Sequence, residues 1–185
     1  DGMASISQLI EKSVSLGMYN LALTDHGNMF GIKEFAQEAD KYNKNISEKI
    51  KENEEKIVKL QEQIAALEPE AEERKNAEAE KAGLEEKVAE LKTQFFKPIF
   101  GCEAYVTRIT ESNPEGDRRL ITGKKGDARG YHLILLAKNK TGYYNLCQMI
   151  SKAWTEGFYG CARIDRELLE KHSEGIICAS ACLGG

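Results

Sequence analysis

Hydrophobic and polar positions change period several times along this chain, and each change marks an element. Leu9, Ile10 and Val14 recur at helical spacing behind Ser5-Ile6-Ser7-Gln8, which has the form of a capping box, and Gly17 supplies a C-cap. Residues 20–25 form a short apolar run that reads as a strand. Ile32, Phe35 and Ala36 then share one face of a helix expected over about 30–42. Farther on, 97–107 reads as a strand with Pro98 at its start, 131–137 as a second apolar strand, and 141–154 as a helix with Tyr144, Leu146, Cys147 and Ile150 available for packing. Asp165 suits the N-cap of a short helix over 166–172, and 175–179 reads as the next strand. Between these, 108–130 carries Asn113-Pro114-Glu115-Gly116-Asp117 and Gly123-Lys124-Lys125-Gly126-Asp127, which predicts a polar, mobile loop.

Residues 41–95 follow a different rule. Ile50, Ile57 and Ile64 recur every seven residues with Ile46, Leu60 and Leu67 between them, a heptad seam interrupted by Asn53. Glu68-Pro69-Glu70 breaks the helix, and Ala77, Leu84, Val88, Leu91 and Phe95 make a returning seam. The pattern predicts an antiparallel coiled-coil helical hairpin with arms about 35 Å long at roughly 1.5 Å per residue. A narrow seam under a charged exterior is satisfied by the partner arm alone, and docking of another protein is the second use for such a projection. The expected organisation is therefore a strand-and-helix body over 1–40 and 96–185 with a hairpin inserted over 41–95.

Composition changes this picture little. The chain has 185 residues, of which 41% are hydrophobic and 8% aromatic, ordinary for a soluble protein with one good core. No apolar run approaches the roughly 18 residues of a membrane span, and no signal peptide opens the chain, so a cytoplasmic address without membrane contact is expected. Of the net charge of −4, the segment 41–95 holds −3, from 11 Lys+Arg against 14 Asp+Glu. The remaining body is close to neutral, and Arg118, Arg119, Lys124, Lys125 and Arg129 form either a local basic patch or a solvated loop. Five cysteines without regular spacing argue against a disulfide framework. Cys102, Cys147, Cys161 and Cys178 read as buried small hydrophobes, and Cys182 as a potential ligand.

Candidate chemistry sits at strand ends. Thr24-Asp25-His26 closes an apolar strand before Gly27, and Asp25 and His26 suit either a site at a barrel mouth or the cap of the next helix. Glu103 within Gly101-Cys102-Glu103-Ala104-Tyr105, His132 within Tyr131-His132-Leu133 and Cys182 within Ser180-Ala181-Cys182-Leu183-Gly184 each lie beside an apolar run. Together they offer nitrogen, oxygen and sulfur donors suited to zinc, or with fewer thiolates to manganese. Their wide separation is unlike the short spacing of a zinc finger. His172, near a helix C-terminus, reads as a partly protonated imidazole interacting with the helix dipole, and Tyr105 and Tyr131 as packing groups.

Asp1-Gly2-Met3-Ala4-Ser5, Leu23-Thr24-Asp25-His26-Gly27-Asn28, Lys97-Pro98-Ile99-Phe100-Gly101-Cys102-Glu103, His132-Leu133-Ile134-Leu135-Leu136-Ala137 and Cys178-Ala179-Ser180-Ala181-Cys182-Leu183-Gly184-Gly185 resemble, in order, the polymerase and histidinol phosphatase (PHP) domain of bacterial replicative DNA polymerase III alpha subunits. The resemblance covers nearly everything outside 41–95. It implies an α/β fold, a distorted (β/α)7 barrel with a metal cluster at its mouth, here incomplete. By resemblance the ligands are Asp1, His26, Glu103, His132 and Cys182, with Asp25 at most orienting them from behind. The family's opening His-x-His and closing Asp-x-His are absent. Because the chain begins with Asp rather than Met, truncation at both ends is the expectation.

Nothing here resembles the clustered Asp residues that nucleotidyl transfer needs for two metals, so polymerisation would belong to residues elsewhere in a larger protein. The resemblance implies two roles. In one, the complete domain is a metal-dependent 3′-5′ proofreading exonuclease, inactive as this fragment alone. In the other, it is a non-catalytic module that stabilises the polymerase and binds DNA or other polymerase III subunits. Retained ligand chemistry favours the first. A stand-alone phosphoesterase of the histidinol phosphatase type is disfavoured by Gly27-Asn28-Met29-Phe30-Gly31 and Gly142-Tyr143-Tyr144-Asn145-Leu146, which look like the polymerase.

Overall fold

The computed structural model describes residues 4–184. The chain divides into two compact units. One takes Asp1–Asn20, of which residues 4–20 are described, with Ala36–Lys97; the other takes Leu21–Phe35 and Pro98–Gly185.

In the first unit, α1 (Ile6–Ser15) opens on the expected capping box: the Ser5 side chain accepts from the Gln8 N–H while the Gln8 side chain accepts from the Ser5 N–H. Gly17 takes φ 73° just past the helix, a conformation that favours glycine. The next helix, α2 (Ile32–Ala66), continues past the expected end near Tyr42 into the segment 41–95: it runs uninterrupted for 35 residues, none of them Gly or Pro. It ends two residues short of Glu68-Pro69, as the steric demand of proline on its predecessor requires. The following helix, α3 (Glu72–Thr93), returns along it. Ile46 and Ile50 are buried against Val88 and Leu91, with Tyr42, Ile57 and Phe95 at the margin. Lys92 Nζ reaches Glu54 at 3.0 Å, and Arg74 Nη1 donates to the Leu67 carbonyl at 3.2 Å. Contacts at both ends thus run in opposite chain order. Asn53, the polar residue in the seam, is buried but donates to the Lys49 carbonyl at 2.7 Å, so its amide is not stranded. Asn43 and Phe96 exchange two hydrogen bonds, of 2.7 and 2.9 Å, that tie the end of the returning segment to α2.

The second unit is a mixed sheet with helices. Its strands are β1 (Asn20–His26), β2 (Lys97–Val106), β3 (Tyr131–Ala137), β4 (Phe158–Tyr159), β5 (Cys161–Ile164) and β6 (Ile176–Ser180), in the order β4-β5-β2-β3-β6 with β1 also paired to β2. Pairing is parallel between β2 and β5, and antiparallel for β2–β3, β3–β6 and β4–β5. A loop rather than a crossover helix joins β2 to β3, which permits their antiparallel register. Helix α4 (Lys140–Glu156), capped by the Asn139 side chain on the Gly142 N–H, packs Leu146, Met149, Ile150 and Ala153 onto Cys102, Ala104, Leu135, Ala162 and Ile164. Each fully buried aliphatic chain of the size of Leu146 contributes about 1.5–3 kcal/mol. The short α5 (Arg166–Lys171) is capped by Asp165, whose Oδ1 accepts from the Leu168 N–H at 3.0 Å.

Three expectations are corrected here. Loop 108–130 is anchored rather than loose: Arg118 is 4% exposed and pairs with Asp165, its Nη1 shared between the two carboxylate oxygens at 3.0 and 2.8 Å, while its Nη2 pairs with Glu156. Arg163, fully buried, holds the same loop by donating to the carbonyls of Asp127, Arg118 and Leu120 as well as Gly157. Of the cysteines expected to be buried, Cys178 is exposed, with residues 177–180 of β6, the last strand in the order, exposed on both faces, and Cys147 and Cys161 are only half-buried. Burial pulls the His172 imidazole below its usual pKa, with Lys171 and Lys152 adding to the effect, which disfavours the partly protonated form expected beside a helix C-terminus.

Candidate metal centre

Three strands and the turn after a fourth converge in the second unit. β1 delivers His26, after which Gly27 turns at φ 64° and its N–H donates to the Glu103 carbonyl at 2.8 Å. A side chain at Gly27 would meet the Tyr105 ring at 2.9 Å, so both space and backbone angle call for glycine here. β2 delivers Glu103, and register places Glu103 beside Ile134 and His132 opposite Tyr105. Cys182 follows β6 and is brought in by the His132 N–H, which donates to the Gly184 carbonyl at 3.0 Å.

The side chains meet at Glu103, only 7% exposed. Its Oε2 contacts His26 Nδ1, and its Oε1 lies 2.8 Å from His132 Nδ1. The same His132 nitrogen lies 3.2 Å from Cys182 Sγ, and the donor atoms of Glu103, His132 and Cys182 all fall within 4.8 Å of one another. The edge of the Tyr105 ring packs on the His132 ring at 5.1 Å between centroids, fixing the imidazole plane.

Of the five expected ligands, Glu103, His132 and Cys182 therefore share one point and His26 reaches the second oxygen of Glu103; Asp1 lies outside the described residues. Asp25 turns the other way: its Oδ2 accepts from the Gly31 N–H at 2.8 Å, while Asn28 donates to the His26 carbonyl at 2.9 Å and accepts from the Phe30 N–H at 3.0 Å. These bonds shape the turn that follows His26. Cys102, next in sequence to Glu103, is fully buried and its thiol donates to the Asp25 carbonyl at 3.5 Å; burial, with Asp25 adding to it, pushes its pKa up to about 12, so it offers no thiolate.

The donor set fits a divalent cation. A single Nδ1–H cannot satisfy a carboxylate and a sulfur at once, so two acceptors converge on one nitrogen. A largely buried carboxylate also calls for compensating charge, which a cation at this convergence would supply.

Sequence reasoning missed the groups around this centre. Arg108 stacks on Tyr131, its guanidinium carbon 4.6 Å from the ring centroid, and Arg163 crosses the core. A charged residue inside the apolar run Ala162-Arg163-Ile164 was the available signal for the latter.

The family model described as PHP domain matches residues 1–185. The chain is 36% identical over 185 residues to the DNA polymerase III subunit alpha of Borreliella burgdorferi and 34% over 185 residues to that of Chlamydia trachomatis serovar D, covering 100% of this chain and 11% and 10% of those proteins. It is 33% identical over 186 residues to the Thermus aquaticus subunit, of which it covers 10%. The chain thus spans about a tenth of the length of the curated relatives it matches. No helix among the described residues is long and apolar enough to cross a membrane. With a family match along its whole length, this chain belongs to the PHP domain family.

Proposed function

We propose that the domain is a metal-dependent phosphodiester-cleaving module, of 3′-5′ exonuclease type, carried by a cytoplasmic DNA polymerase III alpha subunit that works on DNA with other polymerase subunits. The observation that carries this reading is the convergence of Glu103, His132 and Cys182 within 4.8 Å, with His26 on the second carboxylate oxygen. These four residues, with Asp1, would hold the metal, zinc or manganese. When bound, such an ion lowers the pKa of a water toward neutrality and polarises a phosphoryl oxygen. The chain's own part is positional: Glu103 bridges the two imidazoles, Tyr105 fixes the plane of His132, and Asp25 and Asn28 hold the turn that presents His26. In this reading the sheet of the second unit is part of a distorted (β/α)7 barrel. The paired α2 and α3 over 41–95 are an inserted coiled-coil hairpin that takes no part in the chemistry.

The test is metal content of the intact protein, purified without chelator, alongside hydrolysis of a 3′-labelled single strand. Tightly held transition metal that is lost, together with hydrolysis, in His26→Ala and Glu103→Gln is the expected result. Protein that holds no zinc or manganese when either is offered overturns the reading.

A second reading, a non-catalytic module that docks a partner, is favoured by one feature. Phe30, Trp154 and Phe158 are 81%, 45% and 50% exposed and form a contiguous aromatic cluster, with Trp154 and Phe158 stacked at 5.4 Å. Absence of metal would leave this reading standing.

A further inference from the structure

A cleft of about 530 Å³ borders the candidate metal centre and shares two of its residues, His132 and Tyr105. That volume falls in the range of small-molecule sites, about 300–1,000 Å³. Arg108, Lys125 and Arg129 line it, and no Asp or Glu does. In a chain of net charge −4, three cations around one cavity without a carboxylate are a local reversal of sign.

None of the three forms an ion pair among the described residues, whereas Arg118, Arg119 and Arg166 all do. Arg108 is the most telling. Its guanidinium lies over the Tyr131 ring, and its Nε is buried without a hydrogen-bond partner among the described residues. A buried charged donor left without an acceptor is costly, and a ligand that brings acceptor oxygens removes the cost. The rest of the wall is the Tyr105 ring and small residues such as Ala128 and Gly130, which suit an apolar, planar body attached to the anion.

We infer that this cleft binds a nucleoside phosphate, either a free nucleotide or the terminal phosphodiester of a single strand, and that Arg108, Lys125 and Arg129 are positioning residues that hold its phosphate beside the metal centre. The inference rests on the phosphodiester reading above and names residues that reading does not use. Lys125 and Arg129 are not buried, so their substitution leaves the core untouched.

The experiment measures binding of a fluorescent single-stranded oligodeoxynucleotide to the full chain by anisotropy, in EDTA and in added zinc, with deoxyadenosine monophosphate as competitor. Lys125→Glu/Arg129→Glu is expected to weaken oligonucleotide binding at least 10-fold in EDTA as well as in zinc, and Arg108→Gln to weaken it independently. The salt dependence of log K should fall by about 0.7 for each phosphate of a single strand that is no longer neutralised, a change that a purely structural role would not produce. Displacement by the monophosphate identifies the free nucleotide as sufficient; binding of the oligonucleotide without such displacement identifies the strand. Wild-type affinity in the double variant, or no binding by the wild type, overturns the inference. Metal content measured on the same samples separates the two failures. Metal retained with no charge effect sinks this inference alone, whereas a charge effect that persists in protein unable to hold metal sinks the metal reading alone.

Discussion

His132 presents Nδ1 to Oε1 of Glu103 at 2.8 Å, and the same nitrogen lies 3.2 Å from Cys182 Sγ, so one imidazole links a strand-borne carboxylate to a thiol fifty residues on. Glu103 also contacts His26, which makes it the hub of the cluster. Glu103→Gln preserves shape but removes charge. Losing a partner that merely orients a ligand costs roughly 10- to 100-fold in metal affinity, so loss of the hub should exceed about 100-fold. Titration with zinc against a competing chelator checks this, with unchanged circular dichroism confirming the fold.

Arg163 is an internal strut rather than a surface charge. It is fully buried on β5 and donates to four backbone carbonyls, three of them in loop 108–130. Arg163→Ala strands those acceptors, and with hydrogen bonds to charged groups worth about 1.5–3 kcal/mol each and not additive, a loss of about 3 kcal/mol or more is expected. Arg163→Lys should recover only part of it, since an ammonium cannot reproduce the planar fork. Urea unfolding of the wild type and both variants gives the comparison, and proteolysis of Arg163→Ala should begin within 108–130.

Two glycines in helices predict opposite outcomes. Gly83 sits in the interior of α3 with nothing within 4 Å of where a Cβ would lie, so Gly83→Ala should stabilise by about 0.5–1 kcal/mol through helix propensity. Gly142, in the first turn of α4, would place a Cβ 1.9 Å from the Gly175 carbonyl oxygen, which is backbone and cannot swing away. Gly142→Ala should cost about 2–3 kcal/mol by forced displacement of α4 from the turn ahead of β6. Thermal melts that reversed the order of these two variants would refute this packing.

Local signals proved the most legible in the sequence. The Ser5 capping box, the Asp165 cap, Pro69 and the strands bearing Glu103 and His132 are each encoded within a few residues, and the structure has them where the chain says. What was hidden depends on neighbours far along the chain. Loop 108–130 has turn-forming composition and reads as mobile, yet its order comes from Arg118 meeting Asp165, 47 residues away, and from Arg163 beneath it. The exposure of Cys178 likewise belongs to a strand, β6, that is last in the order and exposed on both faces, which no local pattern states. At the centre, residue types and strand ends pointed to His26, Glu103, His132 and Cys182 and offered Asp25 as a cap ahead of the next helix, where its bond to the Gly31 N–H lies, whereas the gathering of Arg108 with Lys125 and Arg129 around one cleft required the folded chain.

His172 gives the fold a pH dependence with a definite sign. It follows α5, its Nδ1 lies 3.3 Å from Asn145 Oδ1, and its Nε2 is buried without a partner among the described residues. Burial, reinforced by Lys171 and Lys152, lowers its pKa, so the unfolded chain takes up a proton there before the folded one does. Stability from this site is therefore present above the unfolded value of about 6.5 and is lost as pH falls through the lower folded value. His172→Gln, which keeps polarity without titrating, should flatten that part of the curve while leaving stability at pH 8 nearly unchanged. Chemical unfolding between about pH 5 and 8 in chelator, where metal ligation by the other histidines does not contribute, isolates the effect. A variant whose stability still falls with the wild-type slope below about pH 6.5 would show that the acid sensitivity does not come from His172.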